Sequence, residues 1–209
     1  MAYGSSGIFN RRSLMNGNKL TIIVLMVFLI VTGSCGYLAR YDGPYKGKVI
    51  DADTVKPIEG VVVLGVWYKE TPTPAGAVSS YYDARETVTD KNGEFEIPGM
   101  GLKILSTVAP MSVLIFKAGY EYIGLGPWES FQESEYYKKK VKWEGKKAII
   151  PLRKLTMDER KKSGTFPSLP PSEAQLDKVR LMLKEINKEA IERRLDPIDI
   201  WHGKKVWEQ

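Results

Sequence analysis

The chain has one cysteine and one histidine in 209 residues, and its first 34 residues contain no acid. Each shortage excludes something. A lone Cys35 forbids an internal disulfide, so any folded part is held by packing alone. A zinc site draws His and Cys ligands together, and with His202 in the last eight residues only carboxylates remain. H-E-x-x-H, G-x-S-x-G and a Gly-rich phosphate loop are missing, as is any internal repeat. Acids such as Asp83, Glu86 and Glu129 have no spacing that favours carboxylate-pair chemistry. The expectation is a protein that is not an enzyme and takes no metal or other cofactor.

The basic balance is partly a property of the N-terminus. The formal charge is +6, but Arg11, Arg12 and Lys19 lie in the acid-free segment, leaving 28 basic against 25 acidic residues beyond it. Nucleic acid is therefore not an expected partner. The same segment has export-signal order: basic "RRSLMNGNK", then the apolar block Leu20–Val31, then "TGSC". Those twelve apolar residues, at 1.5 Å each, fall short of a hydrocarbon core of about 30 Å. If the run continues through "TGSCGYLA" to Ala39, twenty uncharged residues are long enough for an uncleaved span.

Small residues running into the only cysteine resemble the bacterial lipoprotein processing box, with Thr32 where Leu or Val is usual. The resemblance implies cleavage before Cys35, lipidation of its thiol, and attachment to a bilayer. With Gly36 in place of the aspartate that resembles a retention signal, the outer membrane is favoured if the host has two. "RRSLM" also resembles a twin-arginine signal, but the greasy block suits general secretion better. Lipoprotein and single-span readings both place residues 40–209 outside the cytoplasm.

Residues 35–45 read as a tether. Beyond it, short apolar runs alternate with turn residues: "KGKVID", "GVVVLGVWY", "ARETVT", "GEFEI", "LKILSTV", "SVLIFKAGY" and "KKAIIPLRKL". They predict a mainly β domain over 46–155, a seven-stranded antiparallel β-sandwich. "GVVVLGVWY", apolar on both faces, is its central strand, and "ETPTPAGAVSS" (70–80) is a loop.

"TVTDKNGEFEI" (87–97) places Asp90, Asn92 and Glu94 as positions 1, 3 and 5 of a calcium loop would be. Position 6, however, is Phe95 rather than glycine, and position 12 is Gly101 rather than glutamate. A hairpin fits better. Asp90 accepts backbone hydrogen bonds, Gly93 takes the left-handed position, Val88, Phe95 and Ile97 point inward, and Glu94 and Glu96 face water.

Gly47, Val49 and Asp51, then Pro57 with Gly60-Val61, then Thr89-Asp90, Gly93 and Phe95, then Lys117, Gly119 and Tyr120 follow in an order that resembles the carboxypeptidase regulatory-like domain, of the transthyretin-like (prealbumin-like) class. The long 69–84 segment and the polar insert 127–147 depart from it. The resemblance implies a sandwich that does no chemistry and serves as a folding, adhesion or binding module.

Within the insert, Trp128, Phe131, Tyr136, Tyr137 and Trp143 alternate with Lys138, Lys139 and Lys140. Two readings stand: rings and lysines as a ligand-binding face for glycans, anionic headgroups or a partner, or an amphipathic hairpin whose aromatics cover the sandwich.

Residues 156–171 read as a linker. Ser172 and Gln175 then form a capping box, opening an amphipathic helix over 172–196. Its stripe, Leu176, Val179, Leu183, Ile186 and Ala190, must lie back on the sandwich, pair with a second copy or dock on a partner. The tail 197–209 reads as a strand-like peptide. The composite expectation is a membrane-anchored binding or assembly module engaging an envelope protein, with a cell-wall glycan as the alternative ligand.

Overall fold

The computed structural model describes residues 21–22, 39–163, 166–170, 176–198, 200–201 and 204–205. Cys35, the capping box at Ser172 and Gln175, and His202 lie outside them. The chain divides into two compact units, 1–40 and 41–209. In the first, Thr21 and Ile22 are helical. Among the described residues no helix is long and apolar enough to cross a membrane.

The second unit is mainly β. One four-stranded sheet has the order β4 (Gly76–Val88), β3 (Val62–Thr73), β7 (Ser112–Phe116), β8 (Ile123–Pro127). The other has the order β5 (Glu94–Ile97), β2 (Tyr45–Asp51), β10 (Lys147–Leu152), β9 (Lys142–Glu144). Outside them, β1 (Ala39–Asp42) pairs with β6 (Gly101–Ile104), and β11 (Ile200–Trp201) with β12 (Lys204–Lys205).

Alternation along β3 and β7 explains why both read as apolar throughout. Val63, Trp67, Val113 and Ile115 enter the core with Val49, Phe95, Ile97, Ile150 and Leu152 from the other sheet. Val62, Leu64, Val66, Leu114 and Phe116 point the opposite way, beneath a helix. That helix is α4 (Arg180–Glu192), following α1 (Ser130–Glu133), α2 (Glu135–Lys138) and α3 (Met157–Ser163) along the chain. Two sheets and one helical layer thus stack around two apolar interiors. The outer face of the β2 sheet is polar and carries the pairs Lys46–Glu96 at 3.0 Å and Lys147–Glu94 at 2.6 Å.

Several expectations are corrected. The sandwich is not wholly antiparallel: β2 and β10 run parallel, Lys46 opposite Lys147 through Asp51 opposite Leu152. Eight strands rather than seven build the two sheets. β8 and β9 are additions, whereas β6 leaves the sandwich because its Leu102 and Ile104 face solvent. The tether 35–45 already contains β1 and the start of β2. The "loop" 70–80 is the outer half of the β3–β4 hairpin, whose prolines sit at Pro72 and at the Pro74 turn. The turn at Asp90–Gly93 is not a hairpin, since β4 and β5 belong to different sheets. There Asp90 accepts from the N–H groups of Asn92 and Glu94 at 2.9 and 2.8 Å. Gly93 has φ +74, and a Cβ there would lie 2.4 Å from the Val49 carbonyl. Phe95 and Ile97 are buried as anticipated, but Val88 is exposed. A helix, α3, occupies the presumed linker, and α4 starts at Arg180, after a 3₁₀ turn at Leu176–Lys178, and stops at Glu192. Arg194 takes φ +62 and ends it before Pro197 is reached.

Candidate functional site

The insert 127–147 folds as α1 and α2 followed by β9, which turns at Gly145-Lys146 to pair with β10, so only its last part is a hairpin arm. Its rings meet edge to face: Trp128–Phe131 at 5.2 Å and 63°, Trp128–Trp143 at 6.1 Å and 89°, Phe131–Tyr137 at 5.2 Å and 76°. Trp128 and Phe131 are buried, and Tyr137 and Trp143 pack against the same inter-sheet core. These aromatics close one end of the sandwich, and no two of the paired rings lie parallel as a platform for a sugar. Only Tyr136 is exposed, with Lys140 Nζ 4.4 Å from its ring and donating to its hydroxyl at 2.7 Å. Lys138 pairs with Glu135 at 3.0 Å, and Lys139 is solvated.

The stripe Leu176, Val179, Leu183, Ile186 is covered by its own sheet, packing on Val62, Leu64, Val66 and Phe116. Of the three fates open to it, the structure takes the first, because β3 and β7 present an apolar outer face that this helix covers together with Phe166, Leu169 and Ile198. Polar contacts from strands and turns hold the helix in place. Glu185 and Glu189, one turn apart, accept from the N–H groups of Ala118 and Gly119, both at 2.9 Å. Asn187, fully buried, donates to the Ile198 carbonyl at 2.9 Å and accepts from the Ile198 N–H at 2.7 Å.

Glu86 of β4 caps the helix from outside, accepting from the N–H groups of Leu181 and Met182 at 2.9 and 2.7 Å. Burial pushes its carboxyl from 4.5 up to about 7, and the two N–H donors oppose the shift. A raised folded-state value means that the folded chain holds a proton the unfolded chain releases, so this contribution to stability falls as pH rises from 4.5 to 7. The variant Glu86→Gln should therefore gain on the natural chain across that interval and run parallel to it above. Urea unfolding at pH 5 and pH 7.5 measures the difference, and an equal gap at both would contradict the assignment.

Two further features were not legible as sites. The first is an exposed apolar surface. β4 is the edge of its sheet, and its outer edge over Gly76–Tyr82 has neither the lysine nor the proline that usually blocks strand addition. Val78 and Tyr82 are 57% and 47% exposed. Next to them, with Lys103 Nζ 5.8 Å from the Tyr82 ring, β6 and the residue after it expose Leu102, Ile104 and Leu105 at 62%, 63% and 74%. The residues "LKILSTV" and "GAVSSYY" carry a weak signal of this surface, visible only once the topology leaves both strands at a border.

The second is a cavity of about 270 Å³ between the turn after β7, the end of β10, α3 and α4. Phe116, Tyr120, Tyr122, Leu155 and Phe166 are among its walls, and Arg160, Glu189 and Arg193 line its charged side. Thr156 and Glu159 cap α3 reciprocally. Thr156 N–H donates to Glu159 at 2.9 Å, and Glu159 N–H donates to the Thr156 hydroxyl at 3.3 Å. The Thr156 amide, Arg153 and the Thr156 hydroxyl pull the Glu159 carboxyl down to about 2. That "TMDE" capping box was the available sign of α3. From α3, buried Arg160 donates to Glu189 through Nε at 2.9 Å and through Nη2, and also to Glu192 at 2.7 Å.

Among the described residues no cluster of three or more His, Cys, Asp or Glu side chains is arranged to hold a metal ion. Comparisons of the chain with family models, with curated proteins and with solved structures find no match.

Proposed function

We propose that the chain is a non-enzymatic, membrane-anchored module of the carboxypeptidase regulatory-like, transthyretin-like class. It acts outside the cytoplasm by engaging a protein partner in the cell envelope. The observation that carries this reading is the exposed surface formed by the open β4 edge with Val78 and Tyr82, flanked by Leu102, Ile104 and Leu105. An apolar surface bordered by an unprotected strand edge suits main-chain pairing with an incoming strand, side chains fixing the register. The leader supports the location, with Cys35 as the lipidated residue. Intact-mass measurement tests the anchor: a chain beginning at a diacylglyceryl-modified Cys35 is expected, and an unmodified form starting at Met1 excludes it.

Partner engagement has a separate test. Lys69 and Ser80 are register partners, so replacing residues 70–79 by Asn-Gly gives a two-residue hairpin turn without disturbing the core. The shortened protein should unfold within about 1 kcal/mol of the natural one, because every residue removed is exposed. Affinity capture from solubilised envelope should lose its protein partner. An unchanged partner set would refute the surface.

A further inference from the structure

We infer that the cavity between α3 and α4 is a binding site for a small organic monocarboxylate with an apolar body, held by Arg193. Arg193 is 7% exposed and lines the cavity. Its Nε is buried without a hydrogen-bond partner, and among the described residues its side chain makes no ion pair. The guanidinium lies over the Phe166 ring at 4.7 Å, which holds its plane and leaves its edge for a ligand. Glu189, one turn earlier on α4, lies in the field of Arg193 but gives its oxygens to other donors, so Arg193 Nε remains a buried donor that an anion can satisfy.

The neighbouring carboxylates do not fill that role. Glu189 is taken up by Arg160 Nε and Nη2 and by the Gly119 N–H, and Glu192 accepts from Arg160. At the rim, Glu159 is bound by Arg153 at 2.8 Å and by Thr156, while Glu121 accepts from the Arg153 N–H at 3.2 Å. Among the described residues Arg193 is thus the arginine of the site whose side chain bonds no acid.

The surroundings define the ligand. Phe116, Tyr122, Phe166 and Leu155 offer an apolar wall, which asks for a hydrocarbon or aromatic body. A cavity of about 270 Å³ lies just below the range of drug-sized sites, so the occupant has about a dozen non-hydrogen atoms. Glu121 and Glu159 at the rim would repel a second negative charge, which disfavours phosphate.

The experiment is titration calorimetry on the full-length protein in detergent micelles with phenylacetate, hexanoate, phenylacetamide and inorganic phosphate. At least one of the two acids should bind with a Kd below about 1 mM. Phenylacetamide, of the same shape without the charge, should bind at least about tenfold more weakly, and phosphate should not bind. Arg193→Met should abolish acid binding while the ligand-free protein still unfolds cooperatively on heating. Failure of both acids, equal affinity for phenylacetamide, or undiminished binding to Arg193→Met would each overturn the site. If the variant does not fold, the acid–amide comparison on the natural chain decides.

Discussion

Replacing Arg160 by methionine is expected to destabilise the folded chain by about 3–5 kcal/mol, the range seen when one member of a buried ion pair is removed. The guanidinium is almost wholly buried and answers two carboxylates of another helix, Glu189 and Glu192. Without it, Glu189 keeps the Gly119 N–H and the field of Arg193 but loses its two strongest donors. The double variant Arg160→Met/Glu189→Leu should recover much of the loss, because an apolar pair of similar volume avoids the desolvation of both charges. Urea unfolding of the three proteins tests this, and a single variant within 1 kcal/mol of the parent would sink it. The pH dependence has a definite sign. Burial raises the Glu189 carboxyl, but Arg160, the Gly119 N–H and Arg193 outweigh it and set the value below 4.5. Its contribution is therefore present above 4.5 and lost as pH falls further, opposite to Glu86.

Asp42→Ala should cost a similar amount, about 3–5 kcal/mol, or about 10 °C in melting temperature for a chain of this size. The Asp42 carboxylate is buried and accepts from the Tyr45 hydroxyl at 2.8 Å, the Trp67 indole N–H at 2.9 Å and the Met100 N–H at 2.8 Å. Tyr45 accepts in turn from the Met111 N–H at 3.3 Å, so one carboxylate organises the strand-end contacts of four segments. Burial and the bond to Asp42 hold the Tyr45 hydroxyl well above its ordinary value, as a neutral donor. Removing the acid strands three donors, two of them buried and one half-buried, whereas Trp67→Phe removes a single donor and should cost about 1–2 kcal/mol. Scanning calorimetry separates the two, and equal melting temperatures for Asp42→Ala and Trp67→Phe would refute the network.

Much of this molecule was legible in its residues because local chemistry decided it. The Asp90–Gly93 turn needs a carboxylate acceptor and a left-handed glycine, and both are written in the chain. Gly47 is another case: a Cβ there would sit 2.4 Å from the Phe95 ring, so the ring's place in the core requires glycine opposite. The Thr156–Glu159 cap was equally visible but was masked by the polar, proline-bearing composition around it. Pairing was different. The parallel contact of β2 with β10 joins segments a hundred residues apart, and no local signal specifies it.

Taken alone, the order of residues settles that this chain is strand-rich, has no internal disulfide and carries a basic and then apolar stretch in its first 34 residues, because composition and periodicity act over a few neighbours at a time. Whether an apolar stripe is a docking face or a covered one depends on which surface meets it. Only the assembled layers show that α4 seals the outer face of β3 and β7, that the insert aromatics plug the sandwich, and that Arg193 remains without a bonded acid beside a cavity. Burial and charge pairing are properties of groups brought together from distant parts of the chain, so they exist only in three dimensions.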